Sequence, residues 1–299
     1  ALSRYGDLLL DGRPTLHLEA HEVLKIALEV SPKVHFIPAH IWTPWYSALG
    51  GMNGHNSLQD CFKDVTGELF AVETSLSADP RMCRRYAELD HLTLISNSDA
   101  HSAFKLGREV NLLNGGLGYD AMFHAIKTKQ GFSGTWEYCP QRGKYYNDGH
   151  RNCKISISPK ETTTGICTVC GRLLTVGAAH RVEQLSNRGE QEAENSFQPF
   201  RYILPLPEML AEIMGFSETS KAVEKKYAQA ISYFGNEFDL LMHTPVEDIR
   251  RFHPTLAIAI ERLRKDEKRF TPGYDGEHGR IYFFNEGELK RKPEQATLF

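Results

Sequence analysis

Four residues of metal-ligand type stand at the ends of three short apolar runs. The run Val34–Pro38 ends in Ala39-His40, the run Leu69–Val72 ends in Glu73, and the run Leu92–Ser96 leads into Asn97-Ser98-Asp99-Ala100-His101. Each run reads as a short buried strand. In a parallel α/β barrel the C-terminal strand ends converge on one face, where active sites sit. Imidazole and carboxylate together suit divalent metals such as Zn, Mn or Fe. Asp99 and His101 are two apart, so in an extended chain their side chains leave on the same side. Taken singly, each of these residues also reads as an ordinary satisfied polar group; taken in series, they point to a metal site.

A second set has a different character. Cys167-Thr168-Val169-Cys170-Gly171 is a C-x2-C knuckle, and His150-x2-Cys153 lies upstream of it. Two such knuckles supply the four ligands of a structural tetrahedral zinc. Cys139 competes as the fourth ligand, and His180 is a more distant candidate. A four-ligand site is closed, so this zinc is expected to hold structure rather than perform chemistry. Its basic neighbours Arg151, Lys154, Arg172 and Arg181 could grip phosphates.

The elements that must position these residues follow from periodicity. Pro14–Val30, Leu58–Val65, Asp79–Leu89 and Tyr119–Lys129 read as helices, and their alternation with the strands predicts parallel βα units of an α/β fold. Cys139–Arg188 is rich in Gly, Cys and basic residues and has too little apolar material for its own core, so it should need a metal. Glu190–Phe200 reads as a linker or loop. Pro205–Lys265 keeps a helical period, and Arg280–Phe284 reads as a strand after a turn. The expected division is 1–137, 138–190 and 191–299.

Composition narrows the classes. The 299 residues carry a net charge of −3, so no global electrostatic field favours nucleic acid, although 141–190 holds eight cations against four anions. No apolar run approaches the roughly 20 residues that span a bilayer. The sequence has no Gly-x4-Gly-Lys-[Ser/Thr] phosphate loop, which argues against ATP-driven motion. Six cysteines with metal-like clustering argue for a reducing, cytoplasmic setting. Cys61 and Cys83 read as buried free thiols. The start, Ala1-Leu2-Ser3, has neither an initiator Met nor a signal-peptide pattern and looks like a cut into a longer protein.

Ile37-Pro38-Ala39-His40, Glu73 and Ser96-Asn97-Ser98-Asp99-Ala100-His101-Ser102 resemble the second half of the polymerase and histidinol phosphatase (PHP) fold, a distorted β/α barrel that binds metals for phosphoester hydrolysis. More narrowly, His40-Ile41-Trp42-Thr43-Pro44-Trp45, Leu76-Ser77-Ala78-Asp79, Leu106-Gly107-Arg108-Glu109 and Gly143-Lys144-Tyr145-Tyr146 resemble the endonuclease Q family. The resemblance covers nearly the whole chain. It implies part of a PHP-type barrel, then a small zinc-binding module, then a mainly helical region. It implies a DNA-repair nuclease that nicks single- or double-stranded DNA 5′ to uracil, hypoxanthine, xanthine or an abasic site.

Carried onto this sequence, it makes His40, Glu73, Asp99 and His101 ligands for Mg, Mn or Zn, which would polarise the scissile phosphate and lower the pKa of bound water to about 7. Asp99, His101 and Arg108 become the catalytic set. Arg108 could fork onto phosphate, or instead pair with Glu109. Trp42, Trp45 and Tyr46 could stack on an extruded base or pack in the core. The resemblance favours His150, Cys153, Cys167 and Cys170 for the zinc, and Arg151 and Arg181 as substrate contacts. PHP enzymes open with His-x-His, which this sequence lacks, so the N-terminal part of the barrel is expected to be missing. Two other readings follow: a PHP phosphatase of small phosphate esters, against which the zinc module argues, and a non-catalytic DNA-binding protein on an incomplete barrel.

Overall fold

Residues 2–10, 14–161, 164–196 and 198–289 are described by the computed structural model. Ala1 and 290–299, the outer ends of the expected first and third segments, lie outside the described residues. Two of the apolar runs pair directly. β1 (Ala71–Glu73) and β2 (Thr93–Ile95) lie parallel, with Ala71 opposite Thr93 and Glu73 opposite Ile95. The third run, expected as a strand at Val34–Pro38, is extended without becoming one. It meets β1 only at its end, where Glu73 N–H donates to the Pro38 carbonyl at 3.0 Å and Ile41 N–H to the Glu73 carbonyl at 3.2 Å. Pro38 has no N–H to extend that ladder.

The other strands are β3 (Val110–Leu113), β4 (Phe132–Tyr138), β5 (Asp148–His150), β6 (Ile155–Ile157), β7 (Phe200–Ile203), β8 (Arg269–Thr271) and β9 (Arg280–Tyr282). β4 is central to a three-stranded sheet, antiparallel to β3 and parallel to β7. β5–β6 and β8–β9 are separate antiparallel hairpins.

The helices are α1 (Ala20–Val30), α2 (Leu58–Phe62), α3 (Pro80–Cys83), α4 (Tyr119–Thr128), α5 (Ala178–Leu185), α6 (Glu190–Glu194), α7 (Leu206–Met214), α8 (Lys221–Phe234), α9 (Val246–Phe252) and α10 (Pro254–Arg264). Several are shorter than periodicity predicts, each for a local reason. A capping box between Glu19 and Glu22 starts α1 at Ala20 rather than near Pro14. Lys63, at φ 52°, ends α2, and Lys129, at φ 63°, ends α4. The region expected to be helical throughout from Pro205 breaks into four helices and a π turn at Asp239–His243. Glu190–Phe200, expected as a loop, contains α6 and the first residue of β7.

Two large cores and a smaller cluster of Ala71, Ile95 and Ile126 result, and the two large cores cross the boundaries drawn from the sequence. The first gathers Ile41, Trp42, Leu49, Phe62, Leu89 and Leu94, and it takes Ala178 and Val182 from α5. The second lies between the β4 and β7 side chains and helices α7 to α10, with Tyr202, Met209, Leu256 and Ile260 fully or nearly buried. The chain leaves the sheet at Tyr138, builds the metal-rich segment, and returns at Phe200 beside the strand it left. Gly134 permits that return: a Cβ there would meet the Pro199 carbonyl oxygen at 2.0 Å, and its φ is +123°.

Among the described residues β2 has one regular neighbour, β1. Thr93 and Ile95 bond toward β1. The alternate residues Leu94 and Ser96 face the other edge, where two side-chain amides stand in for a strand. Leu94 N–H donates to Gln198 Oε1 at 3.1 Å, and Gln198 Nε2 donates to the Leu94 carbonyl at 2.7 Å. Ser96 N–H donates to Asn111 Oδ1 at 3.0 Å, and Asn111 Nδ2 donates to the Ser96 carbonyl at 2.9 Å. Together they join β2 to the β3–β4–β7 sheet.

Two carboxyl groups are buried at this junction. Glu137 accepts from Thr74 Oγ1 at 2.9 Å and from Thr135 Oγ1. Glu109 is 5% exposed, neither oxygen has a well-formed hydrogen-bond partner, and burial followed by the nearby Glu137 charge pushes its pKa well above the carboxylate range. Burial pushes Glu137 up to about 8. A carboxyl raised on folding costs no stability below its unfolded pKa. The cost grows from there and is complete above the folded value, here from the ordinary 4.5 to about 8. Thermal melts should therefore show stability falling as pH rises from about 4.5 to about 8. Glu137→Gln, which keeps shape and can still engage both threonines, should flatten that fall and stabilise the fold at the alkaline end by about 1 kcal/mol or more.

Candidate active site and metal centre

The chain turns sharply after each apolar run, and each turn passes through left-handed backbone at a non-glycine residue. His40 has φ 32°, Ser75 has φ 51° and Asp99 has φ 45°. Such conformations cost of order 1–3 kcal/mol each and persist only where surrounding contacts dictate them. Around Glu73 those contacts are explicit. His40 N–H donates to Glu73 Oε2 at 2.7 Å, and Asn97 Nδ2 donates to Glu73 Oε1 at 2.8 Å. Asn111 Nδ2 lies 3.0 Å from Asn97 Oδ1, tying this carboxylate to the edge of β2.

Beyond Glu73 the site opens to solvent. The side chains of Asp99 and His101 are about half exposed, with His101 Nδ1 2.7 Å from the Asp99 carbonyl oxygen and 4.0 Å from its carboxylate. The Nδ1 of His40 is buried and has no hydrogen-bond partner. The four residues share one end of the β1–β2 pair, yet no three of their ligand atoms lie within 4.8 Å of one another, so these side chains do not close a coordination sphere as arranged. Asn97 and Asn111, which hold Glu73, are not among the residues the sequence singles out. Asn97 lies inside the run that carries Asp99, and Asn111 lies in a stretch to which the sequence assigns no element.

The remaining candidates divide. Arg108 forms no ion pair with Glu109. Its Nη2 donates to the Ser98 carbonyl at 3.0 Å and its Nε to the Lys105 carbonyl at 3.3 Å, while the guanidinium lies 5.7 Å from the Tyr138 ring centre. It pins the Asp99–His101 loop from behind. Trp42 is a core residue, not a surface platform: it is fully buried and its Nε1 donates to Cys83 Sγ at 3.3 Å. Trp45 is half-buried, edge-on to Tyr145 at 5.4 Å. Tyr46 is 81% exposed and held at φ 55°. Arg181 is also structural: its guanidinium donates to the carbonyls of Leu49 and His55 and to Asn56 Oδ1, each at 2.9 Å. Arg151 is exposed.

The metal-rich segment builds the second site from the β5–β6 hairpin and the cysteine knuckle. His150 ends β5, and Cys153 stands in the turn before Lys154 at φ 55°. In the knuckle Gly171 N–H donates to the Cys167 carbonyl at 2.9 Å and Cys167 N–H to the Arg172 carbonyl at 2.7 Å. His150, Cys153, Cys167 and Cys170 place their ligand atoms within 4.8 Å of one another, the one such group among the described residues. Cys170 Sγ is 3.4 Å from His150 Nδ1, close to the edge of a tetrahedron with bonds of roughly 2.0–2.3 Å.

The other candidate ligands have different tasks. Cys139 is buried in the second core, where burial pushes its thiol up to about 12. His180 pairs through Nδ1 with the buried Asp148, whose other oxygen accepts Gly177 N–H at 2.7 Å. Burial raises the Cys167 pKa, but the backbone N–H groups of Cys170 and Val169 and the ring of His150 outweigh it and bring the thiol down to about 6. A sulfur held as thiolate beside an imidazole and two more thiols fits zinc.

Mass spectrometry under native conditions should find one zinc per chain in this cluster. Chelation, or Cys167→Ala, should unfold the segment and lower thermal stability; zinc-finger peptides gain about 10–16 kcal/mol of apparent metal-binding energy. Loss of zinc with no change in the melt would count against a structural role.

The family described as the MJ0043 C-terminal domain matches residues 205–267, the helical region from α7 to α10. The uncharacterised protein MJ0043 of Methanocaldococcus jannaschii is 31% identical over 252 residues, 81% of this chain and 31% of that protein. The uncharacterised protein YqxK of Bacillus subtilis is 28% identical over 290 residues, 94% of this chain and 70% of that protein. The chain thus spans under a third of one of these relatives and about two thirds of the other. Among solved structures, the lesion-specific endonuclease PfuEndoQ of Pyrococcus furiosus superposes with a TM-score of 0.83 at 28% identity, covering 99% of this chain and 73% of that one. An endonuclease Q in complex with a 27-mer duplex bearing an abasic lesion at the active site gives a TM-score of 0.83 at 27% identity, covering 99% of this chain and 74% of that one. This likeness in sequence and fold, running along almost the whole length of the chain, supports the endonuclease Q family.

Proposed function

We propose that the chain acts in DNA repair as a metal-dependent endonuclease that nicks the strand 5′ to deaminated bases or abasic sites. The observation that carries this reading is the fold match, over 99% of the chain, to an endonuclease Q crystallised with an abasic duplex. The local geometry supports it. Three successive apolar runs are followed by turns through strained backbone at His40, Ser75 and Asp99, the kind of outlier that clusters at functional sites.

In this reading His40, Glu73, Asp99 and His101 supply ligands to Mg, Mn or Zn, together with groups beyond these four. Arg108 fixes the loop that carries Asp99 and His101. Tyr46, exposed beside Trp45, is the platform for an unstacked base. Arg151 and the zinc segment contact the backbone phosphates. Cleavage needs no ATP, and a thiolate-bound zinc suits a reducing cytoplasm.

A second reading, a DNA-binding protein without catalysis, is favoured by one observation: the four barrel residues do not by themselves gather around a metal. A single experiment separates the two. Duplex DNA carrying one deoxyuridine, deoxyinosine or abasic site, labelled at the 5′ end, is incubated with the protein and Mg²⁺ or Mn²⁺. A cut just 5′ of the lesion is expected, abolished by chelator. Asp99→Asn should reduce it by more than the about 100-fold that losing a residue supporting a metal ligand costs. Lesion binding without any cut would leave the binding reading standing and end the nuclease one.

A further inference from the structure

We infer that Asn97 and Asn111 form a positioning relay that fixes the Glu73 carboxylate, an assignment that rests on the nuclease reading above. The hydrogen-bond polarity of the relay follows from the groups at its two ends. Glu73 as a carboxylate can only accept. Its Oε1 is 2.8 Å from Asn97, so the Asn97 amide must present its nitrogen there. Asn97 Oδ1 then requires a donor, which Asn111 Nδ2 supplies at 3.0 Å. Asn111 Oδ1 in turn accepts Ser96 N–H at 3.0 Å, and its nitrogen also reaches the Ser96 carbonyl at 2.9 Å. Each amide therefore has one workable orientation, assigned by the network.

The far end is anchored by backbone at the edge of β2 and cannot reverse. The near end meets a carboxylate whose other oxygen is already held by His40 N–H at 2.7 Å. A donor on each carboxylate oxygen holds the Glu73 rotamer in place. Asn97 itself is exposed, so its removal should leave both cores intact.

The relay makes Asn97 a positioning residue whose effect passes through Glu73. Asn97→Ala should lower the lesion-cutting kcat by about 10–100-fold while KM stays within about twofold. Asn97→Asp, which sets one carboxylate against another, should be at least as damaging. In a Glu73→Ala background, Asn97→Ala should cost nothing further, because the group it positions is gone.

A readout independent of activity is exchange of the His40 amide proton by NMR. Freeing Glu73 should speed it roughly fivefold or more with the melting temperature unchanged. Losses that multiply in the double variant, full activity in Asn97→Asp, or an unchanged His40 amide would each overturn the relay. If the wild-type protein cuts no lesion, the nuclease reading fails, and the exchange measurement still decides whether Asn97 holds Glu73.

Discussion

The site depends on how β2 is held along the edge that faces away from β1. A strand between two neighbours must satisfy alternating backbone groups on both sides, and here one side is paired by backbone and the other by two carboxamides. Gln198 and Asn111 each offer a donor and an acceptor to the N–H and carbonyl of one residue, Leu94 and Ser96. An unpaired buried backbone pair would cost about 1–3 kcal/mol for each group. The amides remove that cost without continuing the sheet, so the chain can diverge just past Ser96, and the segment that diverges carries Asp99 and His101.

The same junction explains why the molecule cannot be cut at the boundaries its composition suggests. Gln198 belongs to the approach to β7, and β7 lies parallel to β4. The metal-rich segment is thus an insertion between two neighbouring strands, and its α5 packs back on the first core. The tail secures it further. Asp275 accepts Arg151 N–H at 2.7 Å and the Thr175 hydroxyl at 2.6 Å. Gly273 passes so near that a Cβ would stand 2.0 Å from the Gly143 carbonyl oxygen. The cluster of His150, Cys153, Cys167 and Cys170, in a segment anchored at both ends, therefore has a fixed position relative to the strand ends.

What the sequence made legible was local. Short apolar runs located β1 and β2 because strands buried on both faces read as continuous hydrophobic stretches. The cysteine knuckles located the cluster of His150, Cys153, Cys167 and Cys170 because metal ligands have to lie near one another in sequence to form such turns. What stayed hidden depends on distant partners. Asn111 and Gln198 look like any surface polar residue until Ser96 and Leu94 are placed beside them. Trp42 looked as much like a stacking platform as a core residue, and only its burial against Cys83 decides. Arg181 and Arg108 looked like phosphate contacts, yet both donate to backbone carbonyls. An arginine's five donors serve either purpose, and sequence alone does not say which.

The buried carboxyls complete the physical picture of this junction. Glu109 precedes β3 and Glu137 lies in β4, and both are buried, with no cation paired to either among the described residues. Charged carboxylates in that position would repel each other and Glu73. Protonation is the cheaper state, and burial drives both groups toward it. A neutral floor beneath Glu73 matters for the candidate site. It leaves Glu73, half-buried at the end of β1, without charged neighbours at Glu109 and Glu137. The amides above and the neutral acids below therefore act in the same sense: one fixes where the Glu73 charge points, the other keeps that charge from being diluted by its neighbours.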